Sequence, residues 1–389
     1  MTLRAAITGL GCVSGFGRGA DLLWSALLDG RRAMREQPEV AAMGLSVGPV
    51  ALVEGLPMST PSRAAQMALW AADEALTDAG SPPPGAMLGV ACGTTLGGIS
   101  DWLPAVRHDP SDFGWTSAPA AWGHAAPGQA VAAAIGAHGP LVVPSVACAS
   151  GNVALGAALE LIRSGRCDVV LAGGVDALND FVLAGFGSLK AVDAAPCRPF
   201  DRTRRGLNLG EAAAFLVLES EAHARARGVR IRAFLDGYGV AADGVHMTGP
   251  DKDGRGAARA MRGALADAAR TPADVGFVSA HGTATVFNDL MESKALALLL
   301  GDRARTTPVN SIKSALGHTL GAAAALEALA CVRTLETGLV PPTVGLEELD
   351  PEIHLDVVHG EPRAVAARAV LSTSSGFGGT NAAVVLTAA

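Results

Sequence analysis

Residues 144–160 read PSVACASGNVALGAALE, and residues 308–327 read PVNSIKSALGHTLGAAAALE. Both start at a proline, cross a short segment and a turn, and enter a small-residue helix pattern that ends in Ala-Leu-Glu. Two more pairs stand around them in the same order. GVACGTT (89–95) echoes VSAHGTAT (278–285), with Cys92 where His281 stands, and VVLAGG (169–174) echoes AVLSTSSGFGG (369–379). Chance likeness among Ala/Gly-rich segments would account for any one pair, but the shared order points to duplication of one α/β unit. The junction is expected near Ser220, with an N-terminal half over 1–220, a C-terminal half over 221–389, and the loops of both turned toward a shared centre.

Outward from these stretches, strand-like runs alternate with helix patterns. AAITGLG precedes a helix near Leu22 to Leu28; MLGVACG, LVVPSVAC and DVVLAGG follow; a second series opens near Ile231 after the charged, helical stretch from Glu219 to Arg230. Such alternation predicts an α/β protein with parallel sheets covered by helices. With 48 glycines and only 4% aromatic residues, its layers should meet through small residues rather than ring clusters.

Composition excludes several classes. A chain of 389 residues that is 49% hydrophobic and 17% charged can bury a core and is not disordered. A net charge of −7 argues against a nucleic-acid partner. Apolar runs are broken well before the roughly 18 residues a membrane span needs. The opening MTLRAAITGLGCVSGFG reads as a strand and glycine turn rather than a secretory signal. Six cysteines without a C-x-x-C pair lead to the expectation of free thiols in a reducing cytoplasm.

Cys148 stands between the apolar run LVVPSV and a helix pattern that ends near Ser164-Gly165, so its sulfur is expected on a strand-to-helix elbow. Unpaired N–H groups and the helix dipole would there lower the thiol pKa, preparing a thiolate without a base. The other cysteines read as small buried hydrophobes. His281 (AHGTAT) and His318 (ALGHTLG) occupy glycine-flanked turns. A lone histidine in such a turn is ordinarily structural; two beside an activated cysteine suit hydrogen-bond donation to a developing oxyanion. Neither has the spacing of a metal site. Lys313 and Glu327 fall in an alanine-rich apolar context, which favours a partly buried pair over a surface salt bridge. SSGFGGTN (374–381), with Phe377 at its centre, is a glycine loop able to offer N–H groups and to gate a cavity. Without G-K-[ST] or G-x-G-x-x-G, nucleotide binding is disfavoured.

Together, Ala147–Gly151, His281–Thr285, Lys313–His318 and Gly376–Asn381 resemble the motifs of the β-ketoacyl-[acyl carrier protein] synthases. Supporting motifs are TGLGCVS (8–14), RPFDRTRRG (198–206) and HMTGPDKDG (246–254). The resemblance spans essentially the whole chain. It implies a thiolase-like fold of duplicated βαβαβαββ halves in five α-β-α-β-α layers, paired as a homodimer or as a heterodimer with a ketosynthase-like subunit. It implies no bound cofactor, with substrates arriving as 4'-phosphopantetheine thioesters on acyl carrier protein. By matching positions, Cys148 would be the nucleophile, and the N–H groups of Cys148 and Phe377 would hold the oxyanion. His281 and His318 would stabilise the enolate left by decarboxylation of a malonyl thioester. Lys313, paired with Glu327, would position that site; Thr283 and Thr285 would bind the phosphopantetheine arm; Phe377 would gate; Leu96 would lie near the acyl-tunnel floor. Arg63, Arg202, Arg204 and Arg205 are candidates for the carrier-protein dock, Arg63 and Arg204 by matching position.

Departures from the family pattern are Ala149 after the nucleophile, the run Gly210 to Ala214, apparent shortening between Arg31 and Ser62 and around Ala194, and an atypical Ser117 to Ala137 segment with Trp122 and His124. They leave the chemistry in place and open acyl length, acyl type and partner, with aryl-polyene, polyketide and fatty-acid synthesis all admissible. A chain-length-determining partner subunit is the alternative, against which Cys148 itself argues. A coenzyme A thiolase is a third reading, and it lacks its second cysteine, because none follows Cys331.

Overall fold

The computed structural model describes residues 4–42, 44, 47–56, 62–83, 85–99 and 123–389. The first half supplies β1 (Ala5–Ser14), β2 (Leu88–Gly93), β3 (Leu141–Val142), β4 (Val169–Asp176) and β5 (Ala212–Ser220). They lie in the order β3-β2-β4-β5-β1, the first three parallel and β5 antiparallel to both neighbours. The second half supplies β6 (Ala233–Ala242), β7 (Val275–Ser279), β8 (Pro308–Asn310), β9 (Ala369–Gly376) and β10 (Thr380–Ala388). Their order, β8-β7-β9-β10-β6, repeats the first path with every strand sense preserved. The three sequence echoes fall at equivalent places on these two paths. The sheets are mixed rather than parallel as expected. In the second half the reason is local: a three-residue turn, 377–379, joins β9 to β10, and strands so joined must be antiparallel. A short ladder pairing Ala5–Ile7 with Ala233–Leu235 links the two sheets.

The helices complete five layers. On the outside of the first sheet lie α1 (Arg63–Asp78) and α2 (Ala126–Ala134). In the middle, α3 (Ser150–Arg163) packs on a later helix and on both sheets. After α4 (Asp180–Ser188), α5 (Arg255–Asp267) and α6 (Val286–Leu300) cover the second sheet, and α7 (Ala323–Thr337) is the partner of α3 in the middle layer. Sequence explains who goes where. The outer helix α5 has one apolar face, whereas α7 is buried on nearly every side and carries few charges. Small residues let the middle layer close: a Cβ on Gly156 of α3 would stand 2.5 Å from the Tyr238 ring of β6. Each buried leucine on α3, such as Leu155 and Leu159, contributes about 2 kcal/mol of burial.

The topology gathers four connections at the carboxyl ends of the strands, where α/β proteins place reactive groups. They are β3 to α3 with Cys148, β7 to α6 with His281, β8 to α7 with His318, and the β9–β10 turn with Phe377. Trp122 and the start of the Ser117 to Ala137 segment lie outside the described residues, while His124 is half-buried. Among the described residues no helix is long and apolar enough to cross a membrane.

Candidate active site

The elbow at Cys148 is held in a strained form. Ala147 adopts φ +48°, a left-handed conformation that a residue with a Cβ takes only under constraint, at a cost of about 1 kcal/mol or more. Ser150 supplies the constraint: its Oγ donates to the Ala147 carbonyl at 2.6 Å and accepts from the Val146 N–H at 2.9 Å. Thr95 Oγ1 donates to the same carbonyl at 3.3 Å. The end of β9 passes so close that a Cβ on Gly376 would sit 3.0 Å from the Val146 carbonyl oxygen and 3.3 Å from the Cys148 nitrogen. The elbow is therefore as expected, but the ready-made thiolate is not. Cys148 is 7% exposed, and burial pushes its thiol up to about 12. Lys313 pulls it down, while Asp176 and Glu327 push it further up. Desolvation of the sulfur outweighs the helix end, which begins two residues later at Ser150.

The loop of His281 hangs on a buried carboxylate. Glu292 of α6 accepts the N–H groups of His281 at 2.7 Å and Gly282 at 2.8 Å, and the Thr373 hydroxyl at 2.8 Å. Gly282 has φ +36°, and a Cβ there would meet the Ser311 side chain at 2.5 Å, so only glycine fits. Asp289, one helical turn earlier, accepts from the Thr283 N–H and the Phe200 N–H. His318 is fixed differently. Its Nδ1 accepts the Leu320 N–H at 3.1 Å, which places the proton of the neutral ring on Nε2. The two rings meet edge to face, 5.4 Å between centroids. Both pKa values lie well below the ordinary 6.5, first because the rings are buried and next because Lys313 is cationic nearby. At neutral pH both are uncharged imidazoles.

Lys313 and Glu327 form a fully buried ion pair near the histidines, 3% and 1% exposed. Burial raises the Glu327 carboxyl to about 7 against the pull of Lys313. Its α7 position, one turn into the buried helix, puts this charge beside Lys313, which balances it.

Cys148, His281 and His318 open together into one cavity of about 470 Å³, whose wall also includes Thr283, Thr285 and Phe377. The two threonine hydroxyls are linked at 2.9 Å. Phe377, 39% exposed at the mouth, stacks on Phe186 of α4, ring centroids 5.7 Å apart. Leu96 is buried in a cluster with Val182, Leu320 and Leu207, the last of which lines the cavity. Two placements differ from expectation. Arg204 is buried between Asp289 and Asp350, because the loop that carries it folds inward onto these carboxylates, so it presents no guanidinium to a partner. Arg63 is engaged by the buried carboxylate of Glu211 and by the Val53 carbonyl. Exposed Arg205 and Lys190 line the mouth instead. Residue-by-residue reading of the sequence passed over Ser150, Asp176, Glu292 and Asp289. The available signal was an acid in an apolar or helical context, as in the strand VVLAGGVD, which ends at Asp176.

Known proteins match both halves of the chain. The β-ketoacyl synthase N-terminal domain model matches residues 53–224, and the C-terminal domain model matches residues 232–347. The tetracenomycin polyketide synthase ketoacyl synthase alpha subunit of Streptomyces glaucescens is 39% identical over 98% of this chain and 96% of its own length. A solved type II polyketide synthase acyl-carrier protein in complex with its ketosynthase bound to the hexaketide superposes with a TM-score of 0.93 at 32% identity, covering 100% of both chains. The ishigamide ketosynthase/chain length factor superposes at 0.90 with 33% identity, again over 100% of both. With both domains matched in order and full-length likeness in sequence and shape, this chain belongs to the β-ketoacyl synthase family.

Proposed function

We propose that this chain is an elongating ketosynthase that condenses an acyl group held on Cys148 with malonyl-[acyl carrier protein], giving a 3-oxoacyl-[acyl carrier protein] and carbon dioxide. The observation that carries the reading is the opening of one thiol and two neutral imidazoles into a single cavity. In the first half-reaction Cys148 Sγ attacks the acyl thioester carbonyl. The carrier thiol leaves with the proton the Cys148 thiol gives up. The N–H groups of Cys148 and Phe377 hold the oxyanion. In the second, the malonyl carboxylate departs as carbon dioxide and its electron pair becomes an enolate. N–H donors from His281 and His318 stabilise that enolate, each worth about 3 kcal/mol by analogy with oxyanion-hole donors. The carbanion attacks the acyl-Cys148 carbonyl, and the released thiolate takes up a proton. Neutral rings suit this step, since decarboxylation itself supplies the carbanion and no base is needed.

In this reading Lys313 and Glu327 set the field around the histidines, Thr283 and Thr285 receive the phosphopantetheine arm, and Phe377 gates the mouth. The carrier protein docks by Arg205 and Lys190. The repeat junction is placed at Ser220/Glu221. The chain works in the cytoplasm, paired with a second ketosynthase-like chain, identical or not. That pairing is supported by the ketosynthase/chain length factor relative, and carrier docking by the relative solved with its carrier protein.

The test is incubation with a panel of acyl carrier thioesters followed by intact mass measurement. An acyl adduct that disappears in Cys148→Ala, with condensation lost, is expected. An adduct elsewhere, with condensation retained, would overturn the reading. The alternative role, a chain-length-determining partner, predicts no malonyl-carrier decarboxylation by the isolated protein.

A further inference from the structure

One buried carboxylate beside the site has no part in the steps above. Asp176, the last residue of β4, is wholly inaccessible. Its carboxyl accepts four donors: the Thr94 hydroxyl at 2.8 Å, and the N–H groups of Thr95 at 2.8 Å, Leu96 at 2.9 Å and Gly321 at 2.6 Å. The Thr94 oxygen also accepts the Gly97 N–H at 2.8 Å. These four hydrogen bonds favour the ionised carboxylate, against burial, which raises the group's pKa from the ordinary value.

Two of these partners lead to the reacting side chains. Thr95, held through its N–H, uses its hydroxyl to bind the carbonyl of strained Ala147, the residue before Cys148. Gly321, held through its N–H, follows Leu320, whose own N–H fixes the His318 ring. Leu320 is at φ +53°, so this segment too is held against its backbone preference. The crossing is tight. A Cβ on Gly321 would meet Asp176 Oδ2 at 2.7 Å, and one on Gly174 would meet the Gly321 carbonyl oxygen at 2.4 Å.

We propose that Asp176 is a positioning residue that ties the Cys148 elbow and the His318 ring into one hydrogen-bonded unit, spanning from β4 of the first half to the loop before α7 of the second. It touches no substrate. Its oxygens set where the nucleophile stands relative to the enolate donor, and losing that register costs rate rather than binding. The proposal rests on the reading of Cys148 as the nucleophile.

Asp176→Asn keeps the volume, removes the charge and turns an NH2 toward N–H donors. With the folded variant established by circular dichroism, iodoacetamide labelling of Cys148 and malonyl-carrier decarboxylation are expected to fall together, by about 100-fold, with KM changed less than about threefold. Removing the Asp176 charge by itself favours loss of the thiol proton and would speed labelling, so a fall in labelling reports lost position and not lost thiolate. A folded Asn variant with wild-type rates of labelling and decarboxylation would overturn the proposal. Should that variant not fold, Thr95→Val leaves the Asp176 bonds and deletes only the link to Ala147. It should slow labelling by about threefold to tenfold, the worth of one hydrogen bond, with decarboxylation unchanged. Unchanged labelling in Thr95→Val would refute the tie. Wild-type protein that iodoacetamide leaves unlabelled at Cys148 sinks the nucleophile reading itself, a separate failure from either variant result.

Discussion

Two charged side chains and one sulfur carry most of the cost of this site at the residue scale. Lys313→Ala removes the cation that holds the Glu327 carboxyl down to about 7, so the carboxyl takes up a proton and urea unfolding near neutrality should show a loss of about 1–3 kcal/mol from the unpaired buried group. Lys313→Met combined with Glu327→Leu should restore most of that stability without restoring condensation, because a well-packed apolar pair replaces the charges but not their field on the histidines. Cys148 titrates late, its thiol raised to about 12 by burial. The thiolate fraction below that value rises about tenfold per pH unit. Iodoacetamide labelling should therefore climb from pH 7 to 10 with no plateau, and a plateau near neutrality would show that the thiol is activated after all. The position of this cysteine was legible from its neighbours in sequence. Its protonation state was not, because desolvation and the carboxylates of Asp176 and Glu327 reach it from elements distant in the chain.

Among the elements, the strand-end turns matter most. Gly376 closes β9 against the elbow, and its substitution by alanine would place a methyl 3.0 Å from the Val146 carbonyl oxygen and 3.2 Å from the Ala147 Cβ. Either β9 or the elbow must shift, at about 1–3 kcal/mol. The expected readout for Gly376→Ala is slower labelling of Cys148 with a modest drop in the thermal midpoint; wild-type labelling would mean that the elbow tolerates the methyl. The alternation of strands and helices was readable from composition and turn residues. The antiparallel sense of β5 and β10 was not, since strand direction depends on where each connection lands and not on the residues within the strand. Arg204 shows the same limit. A sequence rich in arginine from 198 to 206 suggested an exposed basic patch, but the loop folds Arg204 in between Asp289 and Asp350.

Across the whole molecule, the buried thiols set an alkaline limit. Burial raises Cys12, Cys92, Cys148, Cys197 and Cys331 above the ordinary value of 9, with Cys197 near 11 and Cys92 and Cys148 near 12. The unfolded chain loses these protons from about pH 9 while the folded one keeps them. Each thiol's contribution is thus complete below pH 9 and declines by about 1.4 kcal/mol per pH unit until its folded pKa is reached. Denaturant midpoints should hold near neutrality and fall steeply between pH 9 and 11. Serine at Cys12 or Cys92 should flatten that fall, and a flat profile in the parent protein would contradict the burial of these groups.

What the amino-acid sequence offered by itself was a set of patterns repeated in order and the candidates for the reacting groups. Repeated local patterns survive in order along a chain, and a nucleophile or donor is recognised by the turn that presents it. The tertiary structure alone decided which of these groups share a cavity, which arginines remain outside, and whether the sulfur rests as thiol or thiolate. Those outcomes depend on solvent exclusion and on charges brought together from opposite halves, and neither quantity is a property of any contiguous stretch of residues.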